Sequence, residues 1–159
     1  MNRIAAGFFL GAVAGAVGVF VYNLLDHRLA GWVTVGTLVG VVSQIPSLSK
    51  GRWFWWGVLG GAVVMGGWYL GRAMHYPMLA WPLLGAFLGV LCANGRLKQR
   101  IGGGALGFLA GLVGMHILPF ITLVALPALG LPSTFAYDFE ELGLVVAGGL
   151  IGAITAYLK

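Results

Sequence analysis

Six long apolar stretches follow one another along this chain, separated by polar knots around residues 23–28, 43–52, 72–76, 94–100 and 122–141. Three of the stretches are close copies: Gly31-Trp32-Val33-Thr34-Val35-Gly36-Thr37-Leu38-Val39-Gly40, Ala80-Trp81-Pro82-Leu83-Leu84-Gly85-Ala86-Phe87-Leu88-Gly89, and Gly143-Leu144-Val145-Val146-Ala147-Gly148-Gly149-Leu150-Ile151-Gly152. Each carries two glycines four positions apart. On a helix those glycines share one face and strip it of side-chain bulk, so a neighbouring backbone can come close.

The pattern predicts helices over about 4–25, 29–45, 53–69, 77–93, 101–121 and 142–158. Gly7, Gly11, Gly15 and Gly18 form a bare stripe on the first, and Gly104, Gly107, Gly111 and Gly114 form another on the fifth. Trp53-Phe54-Trp55-Trp56 opens the third beside Lys50 and Arg52, and Trp68-Tyr69 closes it; aromatic rings next to cations mark a headgroup level. Pro77 suits a first helical turn, whereas Pro82 is expected to kink the fourth helix or mark its true start. The fold expected is an all-α integral membrane protein, a single domain of six transmembrane helices arranged as three glycine-rich hairpin repeats, about 1–49, 50–98 and 99–159, with a long outer loop at about 122–140.

Composition points the same way. The 159 residues are 60% hydrophobic and 8% charged, against roughly 25% charged in an ordinary soluble domain, so lipid is the expected solvent. Mean hydropathy is +0.97. The net charge of +5 is gathered in short clusters between apolar runs, a pattern of membrane orientation and not of nucleic-acid binding. Arg3, Lys50, Arg52, Arg96, Lys98, Arg100 and Lys159 fall on one side of a six-crossing layout, with Arg28, Arg72 and all four acids on the other. The expected location is therefore a membrane of the bacterial inner-membrane type, multi-pass, with both termini cytoplasmic. The first apolar run continues to Leu25 and its glycine pattern recurs later, so it is expected to be retained and not cleaved as a signal peptide. One cysteine, Cys92, excludes an internal disulfide framework and a multi-cysteine metal site.

The repeat is arithmetic. Trp32 to Trp81, Gly36 to Gly85, Gly40 to Gly89 and Arg3 to Arg52 are each 49 residues apart. Units with an even number of crossings run parallel, related by an axis along the membrane normal. Three parallel two-helix units resemble the layout of mitochondrial carriers, but no Pro-x-Asp/Glu-x-x-Lys/Arg motif occurs. In size and topology the chain is similar to the membrane-embedded substrate-binding subunits of energy-coupling-factor transporters. Neither likeness assigns a residue.

His116 is the ionisable side chain inside a predicted span, where such groups are candidate proton relays or ligand contacts, or structural histidines held by hydrogen bonds. Asn23, Asp26, His27, Arg28, Arg72, His75, Asp138, Glu140 and Glu141 make an outer polar set. It reads either as the mouth of a binding site or as solvated loop charge. Catalysis finds no support: there is no His-Glu-x-x-His, no Gly-x-Ser-x-Gly and no pair of intramembrane acids. Neither a cofactor nor a metal is expected.

Two functions are consistent with these residues. One is a transport-type or substrate-binding membrane component for a small neutral, amphipathic or lipid-like molecule, drawing on His116, Asn23, Arg72, Asp26, His75, Asp138 and Glu140. The other is a non-catalytic accessory or assembly subunit that meets lipids, and other membrane subunits, through its glycine faces. A polar cavity reaching His116 favours the first; outward-facing glycines and no cavity favour the second.

Overall fold

The computed structural model describes residues 2–44, 52–117, 128–129 and 139–159. Among these residues there are six helices and no strand: α1 Arg3–Leu25, α2 Arg28–Val42, α3 Arg52–Ala73, α4 Ala80–Cys92, α5 Leu97–Leu112 and α6 Phe139–Tyr157. Lys50, Pro119, Asp138 and nearly all of the loop at 122–140 lie outside the described residues.

Local chemistry sets several of the ends. The side chain of Asn2 caps α1 by accepting from the Ile4 amide at 3.3 Å. Asp26 and His75 take left-handed backbone conformations, φ 48° and 58°, and turn the chain after α1 and α3. Pro77 opens a single 3-10 turn, Pro77–Leu79, ahead of α4. Pro82 is therefore in the first turn of α4, where a missing N–H costs nothing, and no kink is needed to accommodate it. α5 starts four residues earlier than its apolar run because Gln99 reaches back to accept from the Arg96 amide at 2.9 Å. It ends in a π turn, Val113–Ile117, that carries His116.

The helices pack in chain order as a closed ring, α1 against α2 through to α5 against α6, with α6 also against α1. The closest approaches are α1 with α6, α2 with α3, and α4 with α5. These glycine seams join successive hairpins to each other. A methyl placed on Gly36 would lie 2.8 Å from the Gly60 carbonyl oxygen; one on Gly103 would lie 2.5 Å from that of Gly89; one on Gly7 would lie 2.5 Å from that of Gly152. Gly85 with Gly107 and Gly11 with Gly148 are closer still. A recurring carbonyl set against a facing Cα is the geometry of Cα–H···O contacts, worth about 0.5–1 kcal/mol each.

Two layers result. Among the described residues, and apart from Val64, the largest fully buried side chains all come from α2, α4 and α6: Trp32, Val35, Val39, Trp81, Pro82, Leu84, Leu88, Leu144, Ile151 and Thr155. Buried positions recur at the same spacing along the three helices: Trp32, Trp81 and Leu144; Val35, Leu84 and Ala147; Val39, Leu88 and Ile151; then Ser43, Cys92 and Thr155. The outer helices α1 and α5 bury only glycine and alanine. They turn large apolar groups outward, Phe9 at 68% exposure and Leu109 at 52%, as α3 does with Trp55 at 65%. Among the described residues, one helix, Arg3–Leu25, is by itself long and apolar enough to cross a membrane; α2, α4 with its 3-10 turn, and most of α6 are apolar but shorter.

Candidate functional site

The six antiparallel helices have two polar ends. At the end formed by the close of α1, α3 and α5, the outer polar set falls into separate groups.

His116 is half-buried and engaged at both ring nitrogens. Its Nδ1 is 3.1 Å from the Leu112 carbonyl oxygen, and its Nε2 is hydrogen-bonded to the Tyr76 hydroxyl. The rings stack with centroids 5.3 Å apart and planes 20° apart. A neutral imidazole that donates from Nδ1 to Leu112 and accepts at Nε2 from Tyr76 satisfies every atom. Burial pushes the Tyr76 hydroxyl above its usual pKa, which keeps it a donor. Asn23 is occupied elsewhere: its Nδ2 donates to Glu141 Oε1 at 3.0 Å, tying the end of α1 to the start of α6.

Asp26 and Arg72 share a third place. A pocket of about 270 Å³ lies between the α1–α2 turn and the end of α3, lined by Asp26, His27, Arg28, Leu29, Trp68, Tyr69 and Arg72. His75 sits in the exposed turn after α3, and Glu140 in the first turn of α6. Among the described residues no three His, Cys, Asp or Glu side chains stand where they could hold a metal ion.

Between the two ends the axis is occupied. The Trp32 and Trp81 rings meet at 5.4 Å, and Trp68 sets its ring edge-on to Trp32 at 4.7 Å. The Trp81 indole N–H is buried without a hydrogen-bond partner among the described residues.

The opposite end holds a cluster that sequence spacing did not single out. Ser43 and Thr155 are buried, and their hydroxyls donate to the Gly40 and Gly152 carbonyls at 2.6 and 2.9 Å. The Lys159 ammonium donates to the Ser43 carbonyl, closing the end of α2. Burial lowers the Lys159 pKa, an effect that the nearby Cys92 offsets in part when its sulfur is ionised. A groove of about 100 Å³ runs beside this cluster, lined by Arg3, Gly7, Ser43, Thr155, Lys159 and their neighbours. The available signal was the offset of 49 that relates Trp32 to Trp81, since it also relates Ser43 to Cys92.

Comparison of the chain with protein-family models, with curated proteins and with solved structures returned no match.

Proposed function

We propose that this chain is a multi-pass membrane protein of three repeated hairpins, about 1–49, 50–98 and 99–159. In this reading it serves as a non-catalytic accessory or assembly component of a larger membrane complex. Support for a lipid surround comes from the distribution of bulk on α1 and α5, which bury only glycine and alanine and turn Phe and Leu outward. In water that arrangement forgoes apolar burial, whereas in lipid close packing is what holds helices together. Helix length agrees. The outer helices are the long ones, 23 residues in α1, 22 in α3, and 16 plus a five-residue π turn in α5. At 1.5 Å per residue they reach roughly 31–35 Å, the thickness of a hydrocarbon core. The shorter α2 and α4 are shielded by them. Support for the repeat comes from the matching layers on α2, α4 and α6 and from the three glycine seams.

The observation that carries the accessory reading is the filled axis; the glycine faces are spent on seams inside the bundle, so a partner would meet the outward Phe, Trp and Leu side chains instead. Three layers of fully buried side chains stand where a transport path would run, and His116 is held by two structural hydrogen bonds. Blue-native electrophoresis of mild-detergent membrane extracts tests it: the protein is expected in an assembly well above its own 16.7 kDa. A monomer that speeds glycerol entry into proteoliposomes would overturn it. The pocket around Asp26, His27, Trp68 and Arg72 favours a second reading, a substrate-binding membrane component that takes its ligand at this end. That reading predicts that Arg72→Ala abolishes ligand-induced thermal stabilisation while His116→Ala does not.

A further inference from the structure

We propose that the groove at the Arg3–Lys159 end of the bundle is a binding site for the phosphate of an anionic phospholipid, with the lipid's chain side lying along Ala6, Gly7 and Leu10. This rests on the membrane reading above.

The groove exists because its walls are small. Gly7 faces Gly152 across the α1–α6 seam, with Ala6 and Ala156 beside it. At the matching place on the α2–α3 seam, 49 residues further on, the half-buried Trp56 stands where α1 has Gly7 and packs onto the core. Its lining is mostly apolar, and among the described residues two cations are the only charged side chains on it. The described acids, Asp26, Glu140 and Glu141, all lie at the far ends of α1 and α6. No described Asp or Glu side chain therefore serves as counter-charge at this end.

The donors suit a phosphate. Lys159 uses one N–H on the Ser43 carbonyl and, among the described residues, keeps two. Arg3 is exposed and offers a planar fork that matches phosphate oxygens in pairs. The first turn of α1 adds the partial positive charge of a helix N-terminus. A phosphate here returns to the Lys159 ammonium the stabilisation that burial removes. A lipid fits better than a free anion because the cations sit above an apolar wall, at the depth where a headgroup meets its chains.

The test is native mass spectrometry of the full-length protein in mild detergent, titrated in separate arms with phosphatidylglycerol, phosphatidylcholine and inorganic phosphate. Preferential retention of phosphatidylglycerol is expected, and R3Q/K159Q should weaken it about thirtyfold, as two lost charges imply. R3K/K159R should restore it. K98Q/R100Q, which removes the same charge from the same end, should change it less than about threefold. Equal losses in the two charge-removing pairs would overturn the site in favour of diffuse surface attraction, and failure of R3K/K159R to bind would do the same. Inorganic phosphate that binds as tightly as phosphatidylglycerol would overturn the lipid as its source. The membrane reading fails separately: protein released from membranes by alkaline carbonate would remove lipid from the picture altogether, whereas protein that stays membrane-bound yet shows equal losses refutes the groove alone.

Discussion

At the scale of single residues, what matters is how much room a Cβ has. Gly85 and Gly107 place their backbones in mutual contact, and a carbonyl oxygen cannot step aside as a side chain can. Gly85→Val should therefore separate α4 from α5 and cost at least the roughly 1–3 kcal/mol typical of overpacking, read as a lowered thermal midpoint in detergent. Gly66 and Gly102 have nothing within 4 Å of an added Cβ. Gly66→Ala and Gly102→Ala should raise the midpoint by the equivalent of about 0.5–1 kcal/mol, the helix-propensity difference. If all three substitutions moved it the same way, the seams would not be where the bundle is held. Trp81 gives a second contrast. Its ring fills the axis, so Trp81→Ala should cost about 3–5 kcal/mol. Its N–H is a buried donor unpaired among the described residues, so Trp81→Phe loses volume but also sheds a penalty of about 1–3 kcal/mol, and should come out close to neutral in the same melt.

At the scale of elements, Lys159 links the end of α6 to the end of α2, and that link carries a pH signature. Its pKa is lower in the fold than in the unfolded chain, so between those two values the unfolded chain binds more protons and stability rises with pH. The penalty is present in full at neutral pH and is relieved as pH climbs toward the free lysine value of about 10.4. The thermal midpoint of the native chain should gain on that of Lys159→Gln between pH 7 and pH 10; a constant difference would mean that the ammonium is not desolvated. The same scale explains what could be read beforehand. Glycines four apart revealed the bare faces of α1, α2, α4, α5 and α6, because helical periodicity is a local property. It could not reveal which face meets which, and the tightest seams lie between hairpins. For the same reason the outer polar set was legible as residues but not as a site. Asn23 finds Glu141 across 118 positions and His116 finds Tyr76 across 40, and no local spacing encodes those pairings. Gln99 moved the start of α5 by a capping bond that hydropathy does not register.

At the scale of the whole molecule, the alternating helices bring Arg3, Arg96 and Lys159 to one end, and Asp26, Arg72 and Glu141 to the other. If lipid surrounds the ring, a bilayer must separate these ends. Single cysteines make that separation measurable. In a Cys92→Ser background, Arg3→Cys and Arg96→Cys should react with a membrane-impermeant maleimide only after sealed inside-out vesicles are made, and Asp26→Cys only in intact cells. The expected pattern follows from two independent features: helix direction, which puts the three positions at opposite ends, and the basic bias, which assigns the Arg3 end to the cytoplasm. The two fail in different ways. Labelling of all three from one side would leave the helical ring intact and remove the membrane. Labelling with the sides exchanged would keep the membrane and reject the orientation drawn from charge. Labelling of Arg3→Cys and Arg96→Cys from opposite sides would contradict the ring itself, since the Gly7–Gly152 and Gly89–Gly103 seams hold the starts of α1 and α5 beside the close of α6 and α4, on one face of the bundle.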